Sequence, residues 1–240
     1  MTAIWLIARR ELAAYLRTWT GYIIVAVVLV VDGVLFNAWA LSGEKRSAEV
    51  LREFLWVLSG TTMTASLFLS TRLVAEEKQT RTLVLLTSSP VKDREIVLGK
   101  YLSGFAFLAI VTLLTAFMPA LIMVNGKISF GHVVAGYLGL LLLGGATLAL
   151  GTFGSALARS QVLAAIISGA LVVSMLILWL LAAITDRPLN DVFLALALYQ
   201  RHQVPFQVGV VHLRDVVYYL AVIYFALFAS TRVLEARRWR

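Results

Sequence analysis

Cysteine is absent from the 240-residue sequence, which excludes disulfide bracing, thiolate metal sites and cysteine nucleophiles. Charge is scarce as well. Only 14% of residues are Asp, Glu, Lys or Arg and 60% are apolar, against roughly 25% and 45–50% in ordinary soluble domains. The sequence holds no HExxH pair and no zinc-like spacing, so His132, His202 and His212 are singletons, and no metal site is expected. They read as interface or hydrogen-bonding histidines, unless their loops converge in space. No serine sits in a G-x-S-x-G elbow, which removes support for a serine hydrolase. No G-x-x-x-x-G-K-S/T loop occurs, and the polar segments are too short to fold a nucleotide-binding domain. The chain is therefore expected not to be an enzyme. If ATP drives it, hydrolysis occurs on a partner.

Long apolar runs remain, and they make this an all-α, polytopic membrane protein with six spans, near residues 20–41, 54–74, 101–124, 132–157, 162–184 and 216–233. The first run is preceded by an amphipathic stretch and followed by no small-residue cleavage site, so it is expected to stay as a span. Asp32 lies near its middle. A carboxylate at that depth is costly unless it faces protein or water, which leaves a bundle-interior contact or a substrate or proton pathway. With no basic residue in the same span, its partner is expected on another helix, a hydroxyl or water. Span two is sprinkled with Ser and Thr, span three carries Pro119 near its far end, and span four is rich in glycine that permits close helix contact. Between spans five and six, residues 185–212 include an apolar run at 192–199 that is too short to cross and suits a re-entrant or interfacial helix.

In the N-terminal stretch Ile4–Trp19, Trp5, Leu12 and Trp19 recur every seven residues, with Arg10 and Arg17 roughly opposite. That is the pattern of a helix lying in the headgroup plane, indoles at the interface and arginines toward anionic lipid. A soluble cap or frayed tail is the plain alternative. The net charge of +8 would point to nucleic acid in a soluble protein. Here its distribution reports orientation, and no nucleic-acid partner is expected. With both termini on one side, fourteen Lys and Arg residues fall on that side and seven on the other, so the termini are expected in the cytoplasm.

The stretch Val74–Lys100 is the one long, charge-dense interruption. It sets Lys78, Arg81, Lys92, Arg94 and Lys100 against Glu76, Glu77, Asp93 and Glu95, and encloses the apolar run Leu83–Leu86 and the helix-stopping Pro90. A turn needs neither that length nor its own leucine cluster. The stretch reads as a cytosolic docking element, joined to spans two and three without slack, through which another protein moves the membrane helices.

Several of these residues carry a family resemblance: Glu76-Glu77-Lys78, then Thr82-Leu83, Leu85-Leu86, Ser89-Pro90 and Glu95-Ile96-Val97-Leu98-Gly99-Lys100. Nearer the end come His202 through Phe206, Leu213-Arg214-Asp215-Val216, Arg232-Val233-Leu234-Glu235 and Arg237-Arg238-Trp239. Over nearly all of its length the chain resembles the membrane subunits of ABC-2 type exporters. The nearest likeness is to the gliding-motility-associated permease branch, with the copper-processing permease of nitrous-oxide reductase gene clusters as a cousin. It departs from the family pattern at Arg81, where glycine is common, and at Val84, where an acidic residue is common.

The resemblance implies a single ABC-2 type transmembrane domain over residues 1–240, with an N-terminal interfacial helix and a cytosolic coupling helix between spans two and three. Glu76, Glu77, Lys78, Arg81, Thr82, Leu83, Leu86 and Pro90 would couple it to the ATPase, and His202, Phe206, Arg214 and Asp215 are the outer-loop candidates. The implied protein is a multi-pass permease of a bacterial or archaeal plasma (inner) membrane that exports an unidentified substrate. Its implied partners are a separate ABC ATPase carrying the ATP and Mg, a second permease subunit, identical or paralogous, and membrane lipids. This chain would itself bind no cofactor. The competing expectation is a non-transporting subunit that passes mechanical work to a periplasmic or membrane partner.

Overall fold

The computed structural model describes residues 3–41, 46–80 and 91–238. Within them every regular element is a helix, and six are long and apolar enough to cross a membrane. The chain opens with α1 (Ala3–Arg17) and bends at Thr18, whose extended backbone (φ −98°, ψ 148°) interrupts the helix. Trp19 therefore starts α2 (Trp19–Leu35) instead of closing the amphipathic first helix, and only Trp5, Arg10 and Arg17 of the expected interfacial set lie on α1. The turn is tight. A Cβ on Gly21 would fall 1.8 Å from the Tyr15 carbonyl oxygen, so only glycine fits there. A π-helical turn, Phe36–Ala40, prolongs α2.

The second crossing, α3 (Ser47–Leu73), begins seven residues before the apolar run expected at Phe54. Glu49 supports that start by accepting from the Arg46 amide at 3.4 Å. After a break at Val74 comes the short α4 (Ala75–Gln79). The third crossing is divided into α5 (Asp93–Leu114) and α6 (Phe117–Asn125). Pro119 explains the division. A proline inside a continuous helix would press on the carbonyl four residues back, at Thr115, and the break at Thr115–Ala116 instead puts Pro119 in the first turn of α6, where a missing N–H costs nothing.

The central crossing is α7 (Phe130–Leu157), followed by α8 (Gln161–Ala183), α9 (Leu189–Leu196), α10 (Val204–Gln207) and α11 (Leu213–Arg238). In α7, 67% of the apolar window is buried and in α3 61%, against 17% in α2 and α8. So α3 and α7 form the middle of the bundle, and α2 and α8 flank it. Small residues bring the central helices together. A Cβ on Gly151 would meet the Ser70 side chain at 2.0 Å, and one on Gly154 the Ser168 backbone nitrogen at 2.8 Å. Leu69, Leu73, Val97, Phe107, Leu108 and Leu148 fill the space between α3, α5 and α7.

Candidate functional site

The end of α3 makes an angle at Val74 (φ −123°, ψ −39°), and α4 leaves it to lodge against the foot of α7. The break would strand two amides, but Ser155 receives them, its Oγ accepting from the Val74 N–H at 3.2 Å and the Ala75 N–H at 2.9 Å. Lys78 closes the same contact from the other side. Its ammonium donates to the carbonyls of Ser155 (3.4 Å), Ala156 and Ala158 (3.2 Å). Those carbonyls belong to the last turn of α7, where backbone acceptors lack helical partners and the dipole favours a cation. Gln79 adds a bond to the start of α8, its Oε1 accepting from the Gln161 N–H at 3.2 Å.

The two glutamates of the motif turn inward. Arg72 holds Glu76 with two bonds, Nε to Oε2 at 2.9 Å and Nη2 to Oε1 at 3.2 Å. Glu77 pairs with Lys100 at 2.8 Å, and Lys100 also lies 3.7 Å from Glu11 on α1. Lys100 is only 2% exposed, so this ion pair has left water and cannot be treated as surface decoration. Gly99, beside it, lets α1 approach, because a Cβ there would sit 2.8 Å from that of Ile7. Between α1 and α4 lies a polar cavity of about 250 Å³ that these charges line together with Tyr15 and Thr80. Burial raises the Tyr15 phenol well above its ordinary range. Of the expected coupling residues, Glu76, Glu77 and Lys78 are thus brought to one place. Arg81, Thr82, Leu83, Leu86 and Pro90 lie outside the described residues.

The outer-loop candidates converge at the opposite end of the bundle. His202 Nδ1 donates to Asp215 Oδ1 at 2.8 Å and Nε2 to the Ala195 carbonyl at 3.1 Å, while Tyr218 stacks on the ring at 3.8 Å between centroids. Asp215 is fully buried and also receives Arg214 Nε at 3.3 Å. Phe206 is fully buried against Tyr219, and a Cβ on Gly139 would touch it at 2.5 Å. The same segment is tied inward by Gln207, whose amide donates to the Tyr199 hydroxyl at 2.6 Å and to Ser59 Oγ at 3.3 Å, and whose carbonyl accepts from His132 Nε2 at 2.8 Å. These bonds anchor the segment to α3, α7 and α11.

Asp32 stands apart from both clusters. It is fully buried, and no hydrogen-bond partner reaches either carboxylate oxygen among the described residues. Thr61 on α3 is the nearby hydroxyl, but it donates to the Leu58 carbonyl at 3.1 Å instead. Also among the described residues, no three of His, Asp and Glu gather where a metal could be held.

Sequence reasoning did not single out Lys100, Glu11 or Ser155 as parts of the site. Lys100 stood in the charge-dense stretch, but its neighbour Glu11 lies 89 residues away in sequence. Ser155 carries no local signal at all, since its role exists only once α3 and α7 touch. Comparison with known families matches residues 2–179 to the one described as ABC-2 type transporter. No curated protein matches the chain.

Proposed function

Because this chain belongs to the ABC-2 type transporter family, and so is a multi-pass membrane permease, we propose that it is the membrane subunit of an exporter driven by a separate ATPase. In this reading the segment from Glu76 to Lys100 faces the cytoplasm with both termini and is the ATPase's handle, and α1 lies in the headgroup plane. The partner carries ATP and Mg, two permease subunits pair, and the complex sits in a bacterial or archaeal plasma membrane. The resemblance to the gliding-motility-associated and copper-processing branches is part of this proposal.

The observation that carries it is the seating of α4. A partner can move membrane helices only through a part that does not yield, and α4 is bonded to the end of α7 by Lys78 and Ser155, to α5 by Glu77 and to α8 by Gln79. A push there becomes a rigid displacement of several helices, because packed interiors hardly compress. ATP binding and hydrolysis on the partner supply the push.

The test uses the leucines of this segment. In membranes from cells producing the complex, Leu83→Glu with Leu86→Glu is expected to abolish co-purification of the ATPase and its substrate-stimulated turnover, while the chain still inserts. Undiminished capture of the ATPase by this variant would overturn the assignment of the handle.

A further inference from the structure

The face of α1 turned away from the bundle holds three arginines around an open hollow of about 510 Å³, a volume in the range of small-molecule sites. Leu6, Arg10, Ala13 and Arg17 recur at three- and four-residue steps and so form one stripe along the helix. Ala13 and Ala14 floor the hollow, Arg9 and Arg10 close one end and Arg17 the other. Arg10 and Arg17 stand two turns apart, roughly 10 Å along the axis, so long side chains from both ends can converge over the alanines. All three arginines are exposed.

The chain answers little of this charge. Arg10 donates to Glu11 at 2.9 Å, but Glu11 also lies 3.7 Å from the buried Lys100 on the bundle side of α1. Among the described residues no carboxylate is in an ion pair with Arg9 or Arg17. Apolar side chains border the hollow. Trp5 and Leu16 share the side of α1 that carries Arg9 and are 58% and 43% exposed. Just past Arg17, Trp19 and Tyr22 open the first crossing with 84% and 62% of their surface exposed. Exposed indole and phenol rings at the end of a span favour the boundary between headgroups and hydrocarbon, which puts Arg17 at the level of the phosphates.

We propose that this hollow seats the headgroup of one anionic phospholipid, its phosphate held by Arg9 and Arg17 over Ala13 and its acyl chains passing Leu16 into the hydrocarbon. Charge complementarity selects this occupant. Guanidinium groups take a phosphate by charge-assisted hydrogen bonds, whereas a zwitterionic lipid brings its own ammonium against the same arginines. An acidic protein segment would answer the charge, but a basic helix bordered by exposed indoles has the composition of a membrane-surface helix. The proposal rests on the reading that α1 lies in the headgroup plane, and gives that helix a defined ligand. The lipid then anchors the element that packs on α5 at Gly99 and Lys100.

The test is native mass spectrometry of the full chain, purified in mild detergent and given phosphatidylglycerol or phosphatidylcholine in turn. The intact chain is expected to retain phosphatidylglycerol in preference, and Arg9→Gln with Arg17→Gln to reduce that preference by about fivefold for each arginine removed. Ala13→Phe fills the hollow and keeps every charge, and it should reduce the preference as well. A double variant with unchanged preference would overturn the proposal, and one that keeps its lipid but sheds a co-purifying protein would assign the hollow to an acidic partner instead. A loss in the double variant that Ala13→Phe does not share would replace a seated headgroup by diffuse attraction, and overturn it too. The plane of α1 is read separately, from a nitroxide on Leu16→Cys in phosphatidylcholine vesicles, expected to be reached by lipid-dissolved oxygen and shielded from an aqueous nickel chelate. A label open to the chelate would sink the headgroup-plane reading together with the site, whereas a shielded label without any lipid preference would sink the site alone.

Discussion

Replacing Glu77 by lysine would set a second ammonium beside Lys100 in a place nearly closed to water. Removing one partner of a buried pair costs roughly 3–5 kcal/mol, and the more distant Glu11, 3.7 Å from Lys100, would answer its charge only in part. Glu77→Lys is therefore expected to lower the thermal midpoint of the detergent-solubilised protein clearly, and the exchange Glu77→Lys with Lys100→Glu to recover much of it. Asp32 gives the opposite expectation. Its carboxylate is buried without a hydrogen-bond partner among the described residues, so Asp32→Asn should hold or raise the midpoint. A fall in transport by Asp32→Asn with stability intact would place the residue on the pathway of the cargo. The sequence makes Asp32 conspicuous because a lone acid in an apolar run needs no structure to be noticed. That no described residue donates to it is a different matter, since Thr61 is adjacent and its hydroxyl is bonded to the Leu58 carbonyl instead.

Among the elements, α4 depends on contacts that are long-range in sequence. Ser155 takes both amides at the break, so Ser155→Ala should leave buried donors unsatisfied, at about 1–3 kcal/mol, and quicken amide exchange across Val74–Gln79 while exchange in the centre of α7 stays slow. Lys78→Met should act on the same segment by freeing the carbonyls of the last turn of α7. The short helices α9 and α10 follow the same logic. His202→Leu would remove one of the two side-chain donors to the buried Asp215, and limited proteolysis is expected to cut near residues 197–208 more readily as a result. A short helix near the expected run 192–199 follows from an apolar run too brief to cross a membrane, although the helix itself spans Leu189–Leu196. Its attachment does not, because Tyr199, Gln207, Ser59 and His132 come from three separate parts of the chain. In the first helix, a seven-residue recurrence pointed to Trp19, and the bend at Thr18 took that residue away. Periodicity locates a face but is blind to a turn inside it.

At the scale of the whole molecule, the six crossings are legible because apolar length is a one-dimensional property. Which crossings are central is not, since α2 and α8 are as apolar as α5 and yet lie at the flank. The absence of cysteine makes the proposed orientation simple to examine, because any introduced thiol is unique. In right-side-out vesicles, a thiol at Lys127 is expected to react with an impermeant maleimide, and one at Thr80 only after the vesicles are opened. The reverse pattern would invert the assigned topology.

The contact at Gly99 has one further consequence. Ile7 rests on the backbone of α5 one residue from the buried Lys100, so α5 cannot tilt without dragging α1 along. If α1 floats among headgroups as proposed, it behaves as an outrigger, and each stroke must plough lipid aside. The fluidity and packing of the surrounding leaflet would then act as a brake on the cycle, and a stiffer bilayer would slow the machine even with saturating fuel.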